Sequence, residues 1–191
     1  MAIRSSEIKL QLREILLKDK PEAMLQASSK ATVPVLVLDD GTVIDQSLDI
    51  MLWSLRQNDP LELLPENDSE TLSLIRTNDN LFKIHLDHYK YSDRFPQLSQ
   101  LDYRHKGEVF LKQLDMNLRQ HTFLLENSPS LADIAIFPFI RQFAYVDIKW
   151  FESSPYTELT RWLNYWLNSD LFLSVMSKHP QWEAGQEPVI F

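Results

Sequence analysis

Two short stretches of this 191-residue chain combine residue types and spacing that could do chemistry. In the run Lys30-Ala-Thr-Val-Pro-Val-Leu-Val-Leu-Asp-Asp-Gly-Thr-Val-Ile-Asp-Gln-Ser47, a proline enters an apolar, β-branched segment at position 34. Proline has no N–H to give a ladder, so Pro34 belongs at a strand's start or edge, which leaves the main-chain groups of Val33 facing outward. Such an edge can hydrogen-bond an extended peptide. A dozen residues after Pro34, Gln46-Ser47 opens a helical pattern, where unpaired N–H groups and the positive end of the helix dipole suit a carboxylate. Together the two features describe a cradle for a short acidic peptide. Taken singly, each has a plainer reading, Pro34 as an ordinary strand-start proline and Ser47 as a helix N-cap.

The remaining candidates are weaker. His85 and His88 stand three apart on one expected helix, but no third ligand accompanies them at metal spacing. They read as a surface or interface pair, and no metal site is expected. Phe82, Tyr89, Tyr91, Tyr103 and Phe143 could line an apolar substrate pocket, although core or domain-interface packing is the plainer reading. The absence of cysteine excludes disulfides, thiolate metal sites and a cysteine nucleophile within this chain. A net charge of −8 argues against a phosphate-binding surface, so no nucleic-acid partner is expected. No apolar run is long enough for a membrane span, and Met1-Ala-Ile-Arg-Ser-Ser-Glu7 contains no signal-type apolar core. The expectation is a soluble, cytoplasmic protein with no membrane partner.

The elements that must position these residues fall into two unequal parts. Residues 10–17 begin by alternating apolar and polar side chains, as a half-buried strand does. Pro21 opens a short helix reaching Ala27. Val33–Leu38, Asp39-Asp-Gly41 and Thr42–Ile44 read as strand, turn and strand, with Gly41 supplying the positive φ of a tight hairpin. Leu48, Met51, Leu52 and Leu55 then recur at helical spacing, with Ser47 or Asp45 able to cap that helix. This gives a mixed first domain over residues 1–58, a proline-bracketed linker over 59–66 and a helical domain over 67–191. Helices are expected at 68–91, 101–126, 130–146, 155–168 and 170–177. The first 58 residues carry seven basic and eight acidic side chains and the rest twelve and nineteen, so the negative charge belongs almost entirely to the helical part.

The order Val-Pro, strand, Asp-Gly, strand, Gln-Ser, helix resembles the glutathione-binding half of the cytosolic glutathione transferases. The resemblance extends over the whole chain. Ser130-Leu-Ala-Asp133 before Ile134-Ala-Ile-Phe-Pro-Phe-Ile140 looks like that family's helix N-capping box, with Ser130 as N-cap and Asp133 reaching back to its amide. This motif is read as structural, and Pro138 should kink the same helix or stand where packing offsets a lost hydrogen bond. Phe82–Tyr91, Asp93-Arg-Phe-Pro96 and the tail Lys178–Phe191 are similar to bacterial members.

The resemblance implies an incomplete thioredoxin-like domain followed by an all-helical domain, an α/β plus all-α architecture. It also implies Pro34 as a cis-proline and Val33 pairing its backbone with the cysteinyl segment of glutathione. Gln46 and Ser47 would hold the γ-glutamyl end, and Lys30 is a weaker candidate for the glycyl carboxylate. Glutathione would be a substrate, partnered by an electrophile or a mixed disulfide, and the protein could form a homodimer.

A thioredoxin-like half should begin with a strand and a loop carrying Cys, Ser or Tyr, and no residue here matches that loop. The expectation is that Met1–Ser6 are the last turns of the first helix and that the natural protein starts upstream. Val33–Ile44 should then form a two-stranded hairpin with residues 10–17 apart from it; a complete four-stranded sheet would contradict this. The absent segment keeps open a non-catalytic binding or interaction protein of the same fold, and behind that a helical scaffold with a vestigial hairpin.

Overall fold

The computed structural model describes residues 1–65 and 69–191. In chain order its first elements are α1 (Ala2–Ser5), β1 (Gln11–Leu12), α2 (Glu22–Ala27), β2 (Leu36–Val37), β3 (Val43–Ile44) and α3 (Ser47–Gln57). There follow α4 (Ser69–Thr77), a π-helical turn (Asn78–Phe82), α5 (Lys83–Lys90), a 3-10 turn (Ser92–Arg94) and α6 (Gln100–Leu118). The chain ends with α7 (Leu131–Ala144), α8 (Ile148–Glu152), α9 (Thr157–Leu167), α10 (Asp170–Ser174) and β4 (Val189–Ile190). Packing divides these into one unit of Met1–Leu61 with Asp170–Phe191 and a second of Glu62–Ser169. Among the described residues no helix is long and apolar enough to cross a membrane.

In the first unit, β2 and β3 form the expected hairpin, antiparallel with Leu36 opposite Ile44 and Val37 opposite Val43. The turn closes through Leu38 N–H to the Thr42 carbonyl at 2.8 Å and Gly41 N–H to the Leu38 carbonyl at 2.9 Å. Gly41 sits at φ 84°, a left-handed conformation that a side chain would strain. Residues 10–17 stay apart from the hairpin, as expected, but only Gln11–Leu12 forms a regular strand, and its partner is the C-terminal β4. Beyond it the chain folds back on itself, Asp19 N–H donating to the Leu16 carbonyl at 2.9 Å, which stops the strand.

Few apolar side chains are buried in this unit. Among the described residues they are Ala2, Ile50, Leu55 and Phe172. Two buried serines of α1 and its end are satisfied locally: Ser5 donates to the Ala2 carbonyl and Ser6 to the Ile3 carbonyl, both at 2.9 Å. Asn58 ties the end of α3 to α1 through the Ser6 carbonyl at 3.0 Å.

The second unit holds the large core, with Phe82, Leu111, Leu114, Phe137, Phe143, Phe151 and Trp162 almost fully enclosed. The expected helix over 68–91 is interrupted by the π-helical turn, whose wider register turns Phe82 inward and leaves Leu81 exposed. Residues 66–68, which hold the end of the expected linker and the expected start of that helix at 68, lie outside the described residues. The helix expected over 101–126 ends at Leu118 instead. Phe123 and Leu124 are buried, so the apolar spacing continues, but their backbone is bonded elsewhere: Phe123 N–H to the Glu126 carbonyl and Leu124 N–H to the Asp133 carboxylate. α7 runs through Pro138 without ending. α8 was missed by periodicity because it is a single short turn, started by Asp147 accepting from Trp150 N–H at 3.1 Å.

Candidate functional site

The sequence-predicted ligand residues lie in the first unit, at the start of the hairpin and at the head of α3. The Val33–Pro34 peptide bond is cis. Val33 is 48% exposed, and among the described residues its N–H and carbonyl have no hydrogen-bond partner. An extended ligand backbone could therefore pair with it without displacing any bond of the protein.

α3 begins one residue away from the expected cap. Its N-cap is Gln46, held extended, and Ser47 is the first helical residue, so neither Ser47 nor Asp45 caps the helix. Gln46 and Ser47 are both exposed, and among the described residues their side chains have no partner. The first intrahelical bond runs from Ile50 N–H to the Gln46 carbonyl at 3.0 Å, which leaves the N–H groups of the preceding turn directed outward beside the Ser47 hydroxyl. That is an arrangement for holding a carboxylate.

Asp45 does not cap because its carboxylate is held by two other donors. Lys30 Nζ reaches Oδ1 at 2.6 Å and Ser28 Oγ reaches Oδ2 at 2.7 Å. The Lys30 hydrogen bond, and after it that of Ser28, holds the Asp45 carboxyl below the ordinary aspartate range. Lys30 is thus engaged with Asp45 while its side chain remains half exposed. The clasp joins the segment before Pro34 to the segment before α3, the two segments that carry the candidate residues. Nothing in the spacing of Ser28, Lys30 and Asp45 announced it. A cavity of about 310 Å³ lies farther along α3, lined by residues that include Ile44, Leu52, Trp53 and Arg56, and takes in none of the candidate residues.

The capping motif of the second unit is a larger hub than its sequence suggests. Asp133, fully buried, accepts from Ser130 N–H at 2.9 Å and Ser130 Oγ at 2.7 Å through Oδ2. Through Oδ1 it also accepts from Leu124 N–H at 3.0 Å and Trp162 Nε1 at 2.7 Å. Burial pushes its carboxyl above the ordinary value, and these four donors pull against that shift.

Of the aromatic candidates for a substrate pocket, Phe82, Tyr89, Tyr103 and Phe143 are core side chains, with Phe82 and Tyr89 rings 5.3 and 4.8 Å from that of Phe143. Tyr91 is partly exposed, between Lys90 and Arg94. The two histidines have separate surroundings: His88 packs on Phe95 and Tyr103, whereas His85 lies in a surface cavity with Lys106 and Gln113.

Comparison with known proteins divides the chain along similar lines. The family profile described as glutathione S-transferase, N-terminal domain, matches residues 1–63, and that described as glutathione S-transferase, C-terminal domain, matches residues 110–164. No curated protein matches the sequence. Among solved structures, BphK, a bacterial glutathione S-transferase seen in a ternary complex, is 22% identical with a TM-score of 0.76, over 91% of this chain and 88% of that one. A sphingomonad glutathione S-transferase complexed with glutathione is also 22% identical, with a TM-score of 0.73 over the same shares. A glutathione transferase homolog from Sulfitobacter with bound glutathione is 13% identical, with a TM-score of 0.74, again over 91% and 88%. These likenesses identify the fold as a thioredoxin-like N-terminal domain with small sheets followed by a helical C-terminal domain. Because the two profiles fall one on each unit and together account for most of the sequence, the chain belongs to the glutathione S-transferase family.

Proposed function

We propose that this protein binds glutathione in its first unit and acts on an electrophile or a mixed disulfide in the cytoplasm. The main chain of Val33 pairs with the cysteinyl segment, and the N–H groups and hydroxyl at Gln46 and Ser47 hold the γ-glutamyl carboxylate. Lys30, anchored by Asp45, adds positive charge for the glycyl carboxylate. The chemistry is nucleophilic: the glutathione thiolate attacks an electrophilic atom whose leaving group departs, or attacks one sulfur of a disulfide and expels the other as a thiolate. The protein works as a homodimer, in keeping with the family resemblance.

The observation that carries this reading is the pairing, within one unit, of an unengaged backbone edge at Val33 with an open helix start at Ser47. Glutathione-bound structures of similar fold support the choice of ligand. The test is retention on immobilised glutathione, followed by turnover of a model electrophile. Ser47→Ala should cut retention severalfold or more; unchanged retention refutes the γ-glutamyl assignment.

A second reading is a non-catalytic glutathione-binding protein. It is favoured by the hydroxyls of Ser5 and Ser6, which are buried and given to backbone carbonyls, so neither is free to stabilise a thiolate. Retention without turnover would select it.

A further inference from the structure

The C-terminal tail lies along one main-chain edge of residues 10–14. Leu10 and Phe191 exchange both backbone bonds, Leu10 N–H to Phe191 at 3.3 Å and Phe191 N–H to Leu10 at 2.9 Å. The register continues with Gln11 opposite Ile190 and Leu12 opposite Val189. Antiparallel alternation makes Leu12 and Val189 the next bonded pair and turns the N–H and carbonyl of Gln11 away from the tail. Trp182 N–H then donates to the Glu14 carbonyl at 2.7 Å, on the same edge as Leu10 and Leu12.

Side chains add to this pairing. The Arg13 guanidinium lies 4.8 Å from the Trp182 ring centre and that of Arg4 5.9 Å from Phe191. Between the two anchors the chain reverses through Glu183–Gln186, with Gly185 at φ 88°. The sequence suits this: Pro188 falls where its missing N–H would face away from β1, and Val-Ile-Phe supplies strand formers after it.

The pairing lacks an apolar seal. None of residues 178–191 is buried, and Ile190 is 62% exposed. A segment held by a handful of solvent-accessible backbone bonds opens at far lower cost than a packed core element. Once it opens, Leu10, Leu12 and Glu14 present a row of free donors and acceptors, the kind of edge that pairs with another chain.

We propose that residues 181–191 are a releasable cap, pairing in cis with the edge of residues 10–14 and thereby preventing that edge from pairing with β1 of a second copy of this chain. Two copies of the same edge meet antiparallel about a two-fold axis, so the contact closes on itself. The proposal is independent of glutathione binding.

Hydrogen exchange and light scattering on the full chain and on a chain ending at Gln186 test it. In the full chain the amides of Leu10 and Leu12 should exchange at least about tenfold more slowly than those of Gln11 and Arg13. The shortened chain should lose that difference at micromolar dilution and, as concentration rises, show at least twice the mass of the full chain. The synthetic peptide Trp182–Phe191 added in trans should restore both readings. Val189→Pro in the full chain, which removes the donor facing Leu12, should reproduce the shortened chain, whereas Ile190→Pro, whose N–H faces away, should leave the mass unchanged. Equal exchange at Leu10 and Gln11 in the full chain overturns the proposal. So does a shortened chain that keeps the parent mass at every concentration, or association that the peptide does not reverse.

Discussion

Removing the Asp133 carboxylate should come close to unfolding the second unit. Its Oδ1 serves Leu124 N–H and Trp162 Nε1, two donors fixed by a backbone turn and an enclosed ring, and neither can turn to water. In Asp133→Ala each stays buried without an acceptor, at about 1–3 kcal/mol apiece. The N-terminal cap of α7 is lost as well, at about 0.5–2 kcal/mol. The combined effect is about 3–8 kcal/mol against a typical total of about 5–15 kcal/mol. Asp133→Asn keeps an acceptor for Leu124 and Trp162 but sets an amide against Ser130 N–H, so its cost should be about 1–3 kcal/mol. Ser130→Ala should cost about 0.5–2 kcal/mol. Urea unfolding followed by far-UV circular dichroism gives the three values, and near-UV spectra report on the packing around Trp162. A loss below about 1 kcal/mol for Asp133→Ala would mean that water or a repacked side chain satisfies the hub, and the reasoning would fail. A cost for Asp133→Asn equal to that of Asp133→Ala would also refute it, since only one of the four bonds is then opposed.

Three further outcomes follow from particular contacts. Burial, and after it the hydrogen bond from Tyr156 to Glu108 at 2.7 Å, pushes the Tyr156 phenol upward, and burial does the same to Tyr89. Raised folded-state values contribute stability that is complete below the ordinary tyrosine range and is lost as pH climbs from there through the raised folded values. Ultraviolet titration should therefore find Tyr89 and Tyr156 titrating above the ordinary tyrosine range; an ordinary titration of either, read by its loss in the Phe variant, would contradict the burial argument. Lys30→Met should return the Asp45 carboxyl toward the ordinary aspartate range in a carbon-detected titration, with Ser28→Ala doing so less. Since the folded value is depressed, its contribution is present above the ordinary range and lost as pH falls through the folded value, and Lys30→Met should flatten that slope. Gly107→Ala places a methyl against the enclosed Phe143 ring, 2.9 Å from Cζ. It should lower stability by about 1–3 kcal/mol in the same urea assay, and a neutral result would show that the ring can move.

The hairpin, the start of α3 and the capping box were legible because each is written in residues a few positions apart. Asp39-Asp40-Gly41 carries its own turn chemistry, down to Asp40 accepting from Thr42 N–H at 2.8 Å. The apolar spacing of 119–126 misled for the complementary reason. Periodicity reports which side chains go inward, and Phe123 and Leu124 do, but it is blind to a backbone N–H given to a carboxylate nine residues ahead. The pairing of β1 with β4 joins residues from opposite ends of the chain, and no local rule brings Gln11 opposite Ile190.

The candidate site divides in the same way, and the division says how it is held. Val33, Gln46 and Ser47 could be named because a proline at a strand start and a polar pair at a helix start leave main-chain groups open by covalent rules alone. What keeps those groups in register is not local. The first unit encloses few apolar side chains among its described residues, so polar ties at long sequence separation take a larger share of the work: Ser28 and Lys30 on Asp45, Asn58 on Ser6, Trp182 on Glu14. The Asp45 clasp bridges the two segments that carry the candidate groups, and it is partly exposed. A partly exposed charged clasp contributes little to global stability. Its value is geometric: it fixes the approach to Pro34 relative to the head of α3, so substitutions in it should alter glutathione retention more than they alter unfolding.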